Sequence, residues 1–305
     1  MNVLMPTTIT DAMLTSSTIA EPAAGETAWV SAGTYALGDR RIRTTTHRIY
    51  ECVTAHSGRT TYPEDDTAYW IEYAPTAKWA MFDTAVSTQS SISTPLTVVL
   101  KPGNFNSLAL YGLDAATLTV TVKDSTGGTT VYSSTDALQE PPLDWYDWAF
   151  GAIKQLTKIV KTGITPYPNA ELTVTLSASA GTIKAGMLVV GDYRSLIYAD
   201  GFGGLLAGAT AEPVDFSYIK TDDFGNTKII KRRNATDLKV TVWIPREDAD
   251  YALSVLQSVL ATPCAWVASE TAGFLGLNTF GLGSGSLAYA DASHAIFTIN
   301  VKGLV

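Results

Sequence analysis

From residue 96 to residue 176 apolar residues alternate with threonine in short runs separated by Pro-Gly, Gly-Gly or Pro-rich turns. No other feature constrains the fold as much. The runs are Leu96–Leu100, Ser107–Tyr111, Leu118–Val122, Thr129–Tyr132, Ile153–Val160 and Leu172–Leu176. Alternation with period two places every second side chain on one face of an extended strand, so each run has one apolar face to bury. Short strands at about ten-residue spacing predict an antiparallel β-sandwich, expected over residues 86–198. A Ser/Thr-rich stretch from Thr84 to Pro95 precedes it and reads as a connector or edge strand.

The character changes after residue 198. Leu238–Ile244 alternates strictly, and Pro245 then opens a segment with Glu247 and Asp248 in its first turn and Ala249, Ala252, Leu253, Leu256, Val259 and Leu260 at helical spacing. Strands return at Cys264–Val267 and His294–Val301, so residues 199–305 read as an α+β assembly domain with one clear helix. The glycine-rich, uncharged run from Gly273 to Leu287 is a poor core element by composition, and reads as an interaction loop or a mobile surface loop. The expected class is mainly β and multidomain.

Residues 1–85 form the third unit. Within them Trp29, Gly33, Tyr35, Gly38, the Tyr50-Glu-Cys52 strand, His56-Ser57-Gly58 and Tyr69-Trp70 follow one another in an order that resembles the small chitin-binding type of carbohydrate module, families 5 and 12, over about residues 26–83. The resemblance implies a small three-stranded sheet that stacks sugar rings on flat aromatic side chains, a chemistry suited to apolar ring faces with polar tips. Trp29 and Tyr50 fall at core positions of that pattern. Tyr35, Tyr62, Tyr69 and Trp70 lie nearer to turns and are expected to form the exposed carbohydrate-binding platform. Arg40, Arg41, Arg43 and Arg48 depart from the family pattern and read as a solvated strand edge, with an anionic-glycan contact as the alternative.

A wider resemblance covers nearly the whole chain. Lys78–Asp83, Asp144–Gly151, Tyr198–Gly203, Val214–Ile219, Asp223–Gly225 and Phe297–Leu304, taken in order, are similar to a class of bacteriophage tail-tip or baseplate proteins with an N-terminal sugar-binding module. That resemblance implies a structural virion component, assembled in the host cytoplasm into a symmetric ring or collar. Its implied partners are other tail or baseplate subunits, further copies of itself, and host surface polysaccharide or lipopolysaccharide. The alternative is an accessory polysaccharide-binding protein or a subunit associated with a depolymerase. Met1 to Thr10 shows no basic region followed by an apolar stretch of signal-peptide length, which agrees with a protein made and kept in a cytoplasm.

Composition narrows the chemistry. A net charge of −8 opposes nucleic-acid binding, which depends on Lys and Arg neutralising phosphates, and no run of apolar residues is long enough for membrane insertion. Two distant cysteines, Cys52 and Cys264, offer neither a disulfide framework nor metal-ligand spacing. His47, His56 and His294 are scattered, no Gly-x-Ser-x-Gly elbow occurs, and Asp222-Asp223-Phe-Gly-Asn lacks the spacing of a calcium loop. The carboxylate pairs in Glu64-Asp65-Asp66, Asp222-Asp223 and Glu247-Asp248 read as turn and helix-cap groups rather than as a glycosidase pair. The expectation is a protein with no enzymatic activity, no cofactor and no metal. Trp145, Tyr146, Trp148 and Phe150 read as a hydrophobic corner packed on a neighbouring domain, or as a second ligand platform.

Overall fold

A computed structural model describes residues 1–140, 142, 144–152, 154–197, 203–221, 224–269 and 274–304. The chain is mainly β, built on two large antiparallel sheets and a small appended one. The larger sheet has ten strands. In spatial order it runs Lys158–Lys161, Ser107–Tyr111, Met187–Ser195, Asn2–Pro6, Cys264–Val267, Asn278–Tyr289, His294–Gly303, Asn234–Pro245 and Gly204–Leu205, with Thr210–Asp215 also paired to Asn234–Pro245. The five-stranded sheet runs Thr130–Ala137, Thr117–Lys123, Glu171–Ser177, Leu96–Leu100 and Leu14–Ser17.

The alternation seen in the sequence divides the inside of the five-stranded sheet from its outside. Leu96, Val98, Leu100, Leu118, Val120, Val122, Leu172, Val174 and Leu176 are all buried, while the threonines between them face outward. Thr97 and Thr175 pair hydroxyls across neighbouring strands at 3.1 Å, and Thr119 and Thr135 do so at 3.2 Å. The inner face packs against Leu108, Leu110, Leu188 and Val190 of the larger sheet. This contact is the sandwich expected from the sequence. Each such side chain contributes on the order of 1.5–3 kcal/mol by leaving water.

The larger sheet is buried on both faces where its two halves meet. In Ser107–Tyr111, Leu108 and Leu110 enter the sandwich core while Ala109 and Tyr111 enter a second cluster, and Leu188 and Val190 are likewise separated from Met187 and Val189. In Asn2–Pro6, Leu4 joins that second cluster, whereas Val3 joins a third with Trp266, Val240, Val242, Ile244, Phe297 and Ile299 beneath the Arg246–Ser258 helix. The sheet curls enough for Tyr111 and Phe280 to meet at 5.8 Å between ring centroids and for the Lys158 ammonium to donate to the Asn278 carbonyl at 2.6 Å.

That continuity cuts across the expected divisions at 85/86 and 198/199. Asn2–Pro6, from the first segment, is hydrogen-bonded on one side to Met187–Ser195 and on the other to Cys264–Val267. The N-terminal strand therefore joins the sandwich to the C-terminal unit in one sheet, and only about residues 26–75 stand apart. Strand pairing between distant segments is set by tertiary packing, which local alternation does not specify.

The glycine-rich stretch is not a loop beyond Gly273, which lies outside the described residues. Leu275–Leu277 forms a 3-10 turn, and Asn278–Tyr289 is an interior strand between Cys264–Val267 and His294–Gly303. Its glycines make room for neighbours: a Cβ at Gly283 would lie 2.6 Å from Cε2 of the Trp266 indole, and one at Gly285 would lie 2.7 Å from the Thr298 carbonyl oxygen. The Trp266 Nε1–H donates to the Gly281 carbonyl at 3.2 Å.

Several smaller expectations shift. The strand expected from Ile153 is Lys158–Lys161, with Ile153 itself outside the described residues. The stretch expected to be a connector or an edge strand contains the strand Ser90–Ile92, which pairs with Ile183–Ala185. Trp145–Phe150 is a short helix capped by the Asp144 carboxylate, which accepts from the Asp147 N–H at 2.7 Å. None of its residues is buried, so the expected packing on a neighbouring domain is not made among the described residues. The Tyr198–Phe202 part of one motif and the Asp222-Asp223 pair lie outside the described residues.

The small unit carries the three-stranded sheet Arg40–Arg43, Arg48–Cys52 and Trp70–Pro75, with Thr34–Tyr35 paired to His56–Ser57 beside it. A buried carboxylate ties it to the rest. Glu21 accepts from the Thr76 hydroxyl at 2.8 Å and from the Trp79 Nε1–H at 3.2 Å, and lies 3.0 Å from His47 Nδ1. The His47 ring stacks on Trp79 with centroids 4.2 Å apart. Glu26 accepts from the backbone N–H groups of Ala23 and Ala77, at 2.8 and 2.7 Å.

Candidate functional site

The four residues expected to form one platform separate into two classes. Trp70 and Tyr35 are core residues, 2% and 4% exposed. Cys52 and Trp70 are directly paired across neighbouring strands, and Tyr50 shares their face two residues before Cys52. Tyr35 meets Trp70 edge-on at 4.9 Å, and its hydroxyl donates to the Val30 carbonyl at 2.7 Å while accepting from the Val30 N–H at 2.8 Å. His56 sits against both rings, 5.4 Å from Tyr35 and 5.3 Å from Trp70. Burial raises the Cys52 thiol and Tyr50 phenol pKa values above their ordinary ranges. Tyr35 and Trp70 are therefore withdrawn from the exposed platform, because turn proximity in a small module does not keep a ring out of its scarce core.

Tyr62 and Tyr69 remain outside that core. Tyr62 is 48% exposed and touches Trp29 edge-on at 5.4 Å, and the Arg43 guanidinium lies 3.9 Å from its ring centroid. Tyr69 is half-buried, with the Arg59 guanidinium 3.8 Å from its ring. Trp29, expected in the core, is only partly buried and packs at its rim.

Sequence reasoning overlooked Tyr73. It is 53% exposed on the opposite face from Trp70, and the Arg40 guanidinium lies 3.6 Å from its ring centroid. The signal was available as parity: once Trp70 is inward, a residue three positions along the same strand points outward. Tyr73 also falls at a register shift, where Ile49 faces Ala74 and Tyr50 faces Glu72. The bulge leaves Tyr73 without a directly opposed residue.

The arginines repeat one arrangement. Arg40 donates from Nε to Glu51 at 2.8 Å, Arg43 reaches Glu64 at 3.2 Å, and Arg59 makes paired bonds to Asp66 at 2.6 and 2.9 Å. Arg41 meets Asp39 at 3.5 Å and Arg48 meets Glu72 at 3.4 Å. Each arginine of the basic cluster thus faces a carboxylate, and the cluster presents charge pairs instead of a cationic patch. Three of the Arg–carboxylate pairs lie over Tyr62, Tyr69 and Tyr73, which they hold in fixed orientation by cation–π contact. At Tyr62 and Tyr73 the arginine covers one ring face and about half the side chain stays exposed.

Other candidate chemistry resolves into structure. Asp291, Ser293 and His294 form an exposed turn in which the Ser293 hydroxyl and the Asp291 carboxylate both approach Nδ1 of His294, at 2.7 and 3.1 Å. A proton relay needs the two groups on opposite ring nitrogens, so this arrangement is not a catalytic triad. Hydrogen bonds from Ser293 and His294 hold the Asp291 carboxyl well below its ordinary pKa. Glu64 and Asp66 are the arginine partners already described, and Glu247 and Asp248 occupy the first turn of the Arg246–Ser258 helix. Among the described residues no three His, Cys, Asp or Glu side chains are placed to hold a metal ion, and no helix is long and apolar enough to cross a membrane.

No protein-family model matches the chain, and no curated protein does. Among solved structures, it is similar to chitosan-binding module 1 of a chitosanase/glucanase from Paenibacillus sp. IK-5, at 14% identity and a TM-score of 0.27 over 38% of this chain and 84% of that one. It is similar at 13% identity and the same TM-score to an F5/8 type C domain from Bacteroides fragilis, over 52% of this chain and 99% of that one.

Proposed function

We propose that this chain is a non-enzymatic structural component of a phage tail tip or baseplate, and that its residue 26–75 unit contacts glycan on the host surface. The ordered sequence motifs support the virion reading. The observation that carries the glycan reading is the pair of half-exposed rings, Tyr62 and Tyr73, each with an arginine over one face. An open aromatic face stacks on the C–H face of a sugar ring, while the adjoining Arg43–Glu64 and Arg40–Glu51 pairs offer donors and acceptors to hydroxyl groups. Because these charges are already paired, the surface suits neutral sugars better than a highly anionic polymer.

Stacking worth on the order of 1 kcal/mol makes each ring responsible for roughly a fivefold to tenfold change in affinity. Tyr62→Ala and Tyr73→Ala are each expected to weaken binding on a glycan array by that factor, and the double variant by roughly 25- to 100-fold, with circular dichroism unchanged. Full binding by the double variant would remove the module from glycan recognition. The virion assignment is tested by antibody-labelled electron microscopy of purified particles, where label at the tail tip is expected and its absence from the particles refutes the assignment.

A further inference from the structure

Two parts of this chain expose apolar side chains that a monomer has no use for, and they carry opposite charge. The first is the Trp145–Phe150 helix. Trp145, Tyr146, Trp148 and Phe150 are between 63% and 77% exposed, leaving about 400–700 Å² of aromatic surface in water. The segment from Glu140 to Phe150 contains three acidic residues and no basic one.

The second is a hairpin arm. The ladder between Thr210–Asp215 and Asn234–Pro245 ends at the pair Asp215–Asn234, and the chain continues beyond it into the two-stranded ribbon Tyr218–Thr221 and Thr227–Ile230. Every residue of both ribbon strands is exposed, including Tyr218, Ile219, Ile229 and Ile230. A two-stranded ribbon with no covered face is marginal in water. Residues 218–233 hold five basic residues against two acidic ones, in a chain whose net charge is −8.

We infer that the aromatic helix of one copy docks on the hairpin arm of a second copy, making a head-to-tail contact between identical chains. The two surfaces are both apolar and are opposite in charge, Asp144 and Asp147 on the helix against Lys220, Lys228 and Lys231 on the arm. They belong to different elements: the helix lies in the connection from Thr130–Ala137 to the edge strand Lys158–Lys161, and the arm extends the pairing on Asn234–Pro245. The aromatic area approaches the roughly 800 Å² that one partner contributes to a standard interface. Because the two patches differ, the contact is heterologous, and repetition closes a ring or runs as a filament. The inference rests on the assembly part of the proposed function and is independent of the glycan surface.

The test uses two variants of the full chain, Trp145→Ser with Trp148→Ser, and Ile219→Ser with Ile229→Ser. All four positions are exposed, so the fold is expected to survive. Light scattering after gel filtration should show concentration-dependent oligomers for the unaltered protein and the monomer mass of 32.5 kDa for each variant alone. An equimolar mixture should give a species of twice that mass and nothing larger, since one intact helix and one intact arm remain. A monomeric unaltered protein, variants that oligomerise as before, or a mixture that stays monomeric each overturns the inference. Loss of glycan binding by the helix variant with no change of mass overturns it in favour of a second ligand platform. Glycan binding retained by both variants leaves the Tyr62 and Tyr73 reading standing whatever the masses show.

Discussion

Removing Trp70 should unfold the small unit while the rest of the chain stays folded. Trp70 is among the largest fully buried side chains, and its cluster holds only three other buried residues, Tyr35, Tyr50 and Cys52. Trp70→Ala deletes a bicyclic ring from a site walled by Tyr35 and His56, and truncations of this kind cost about 3–5 kcal/mol. A core of this size supplies only about 3–5 kcal/mol in total, so the substitution is expected to consume the unit's whole stability. Trp70→Phe is the control. The Trp70 Nε1 is buried with no hydrogen-bond partner among the described residues, a state that costs about 1–3 kcal/mol, and phenylalanine removes that burden while keeping one ring. Its loss should therefore be well below that of alanine. Hydrogen exchange read by mass spectrometry provides the assay: in Trp70→Ala, amides of residues 40–52 and 70–75 should lose protection while those of 117–123 and 171–177 keep it. Unchanged protection in the small unit, or greater damage from Trp29→Ala than from Trp70→Ala, would refute the assignment of Trp70 to the core.

Gly283→Ala should destabilise the large sheet by about 1–3 kcal/mol, because a Cβ there overlaps the Trp266 indole in a closely packed interior. A chemical-denaturation midpoint equal to that of the unaltered protein would show that the indole moves aside freely. Glu21→Ala should cost about 1–3 kcal/mol, since it strips the acceptor shared by Thr76 and Trp79 and leaves their donors unpaired in a largely buried site. Faster exchange confined to residues 76–80 and the neighbouring module is the expected readout, and unaltered exchange there contradicts it. Burial lowers the Lys158 pKa below its ordinary value near 10.5, so the unfolded chain holds that proton over a range in which the folded chain has released it. Stability of the unaltered protein should then rise relative to Lys158→Met as pH increases from the lowered value toward 10.5, and a difference that stays flat or falls over that range rules the account out.

Much of the architecture was legible because it is local. Leu96–Leu100 and Ser107–Tyr111 were read to the residue, as was Cys264–Val267, and the Arg246–Ser258 helix followed from apolar spacing behind Pro245. Period two and period 3.6 are imposed by backbone geometry on whichever side chains must be buried, so they are written along the chain. The aromatic content of the small unit was visible along the chain, whereas the pairing of its arginines with carboxylates was decided by the fold. Only tertiary structure decided which strand lies beside which, and that is how Asn2–Pro6 came to join two units that composition had separated. It also assigned the faces. Trp70 turned inward and Tyr73 outward because a sheet with few apolar residues buries the side chains that meet across it, and a bulge opposite Tyr50 altered the pairing. The glycines from Gly281 to Gly285 resembled a loop in sequence and proved to be an interior strand, since the reason for them is the volume of Trp266 and the closeness of the neighbouring strand. That volume belongs to residues distant along the chain, and no local pattern records it.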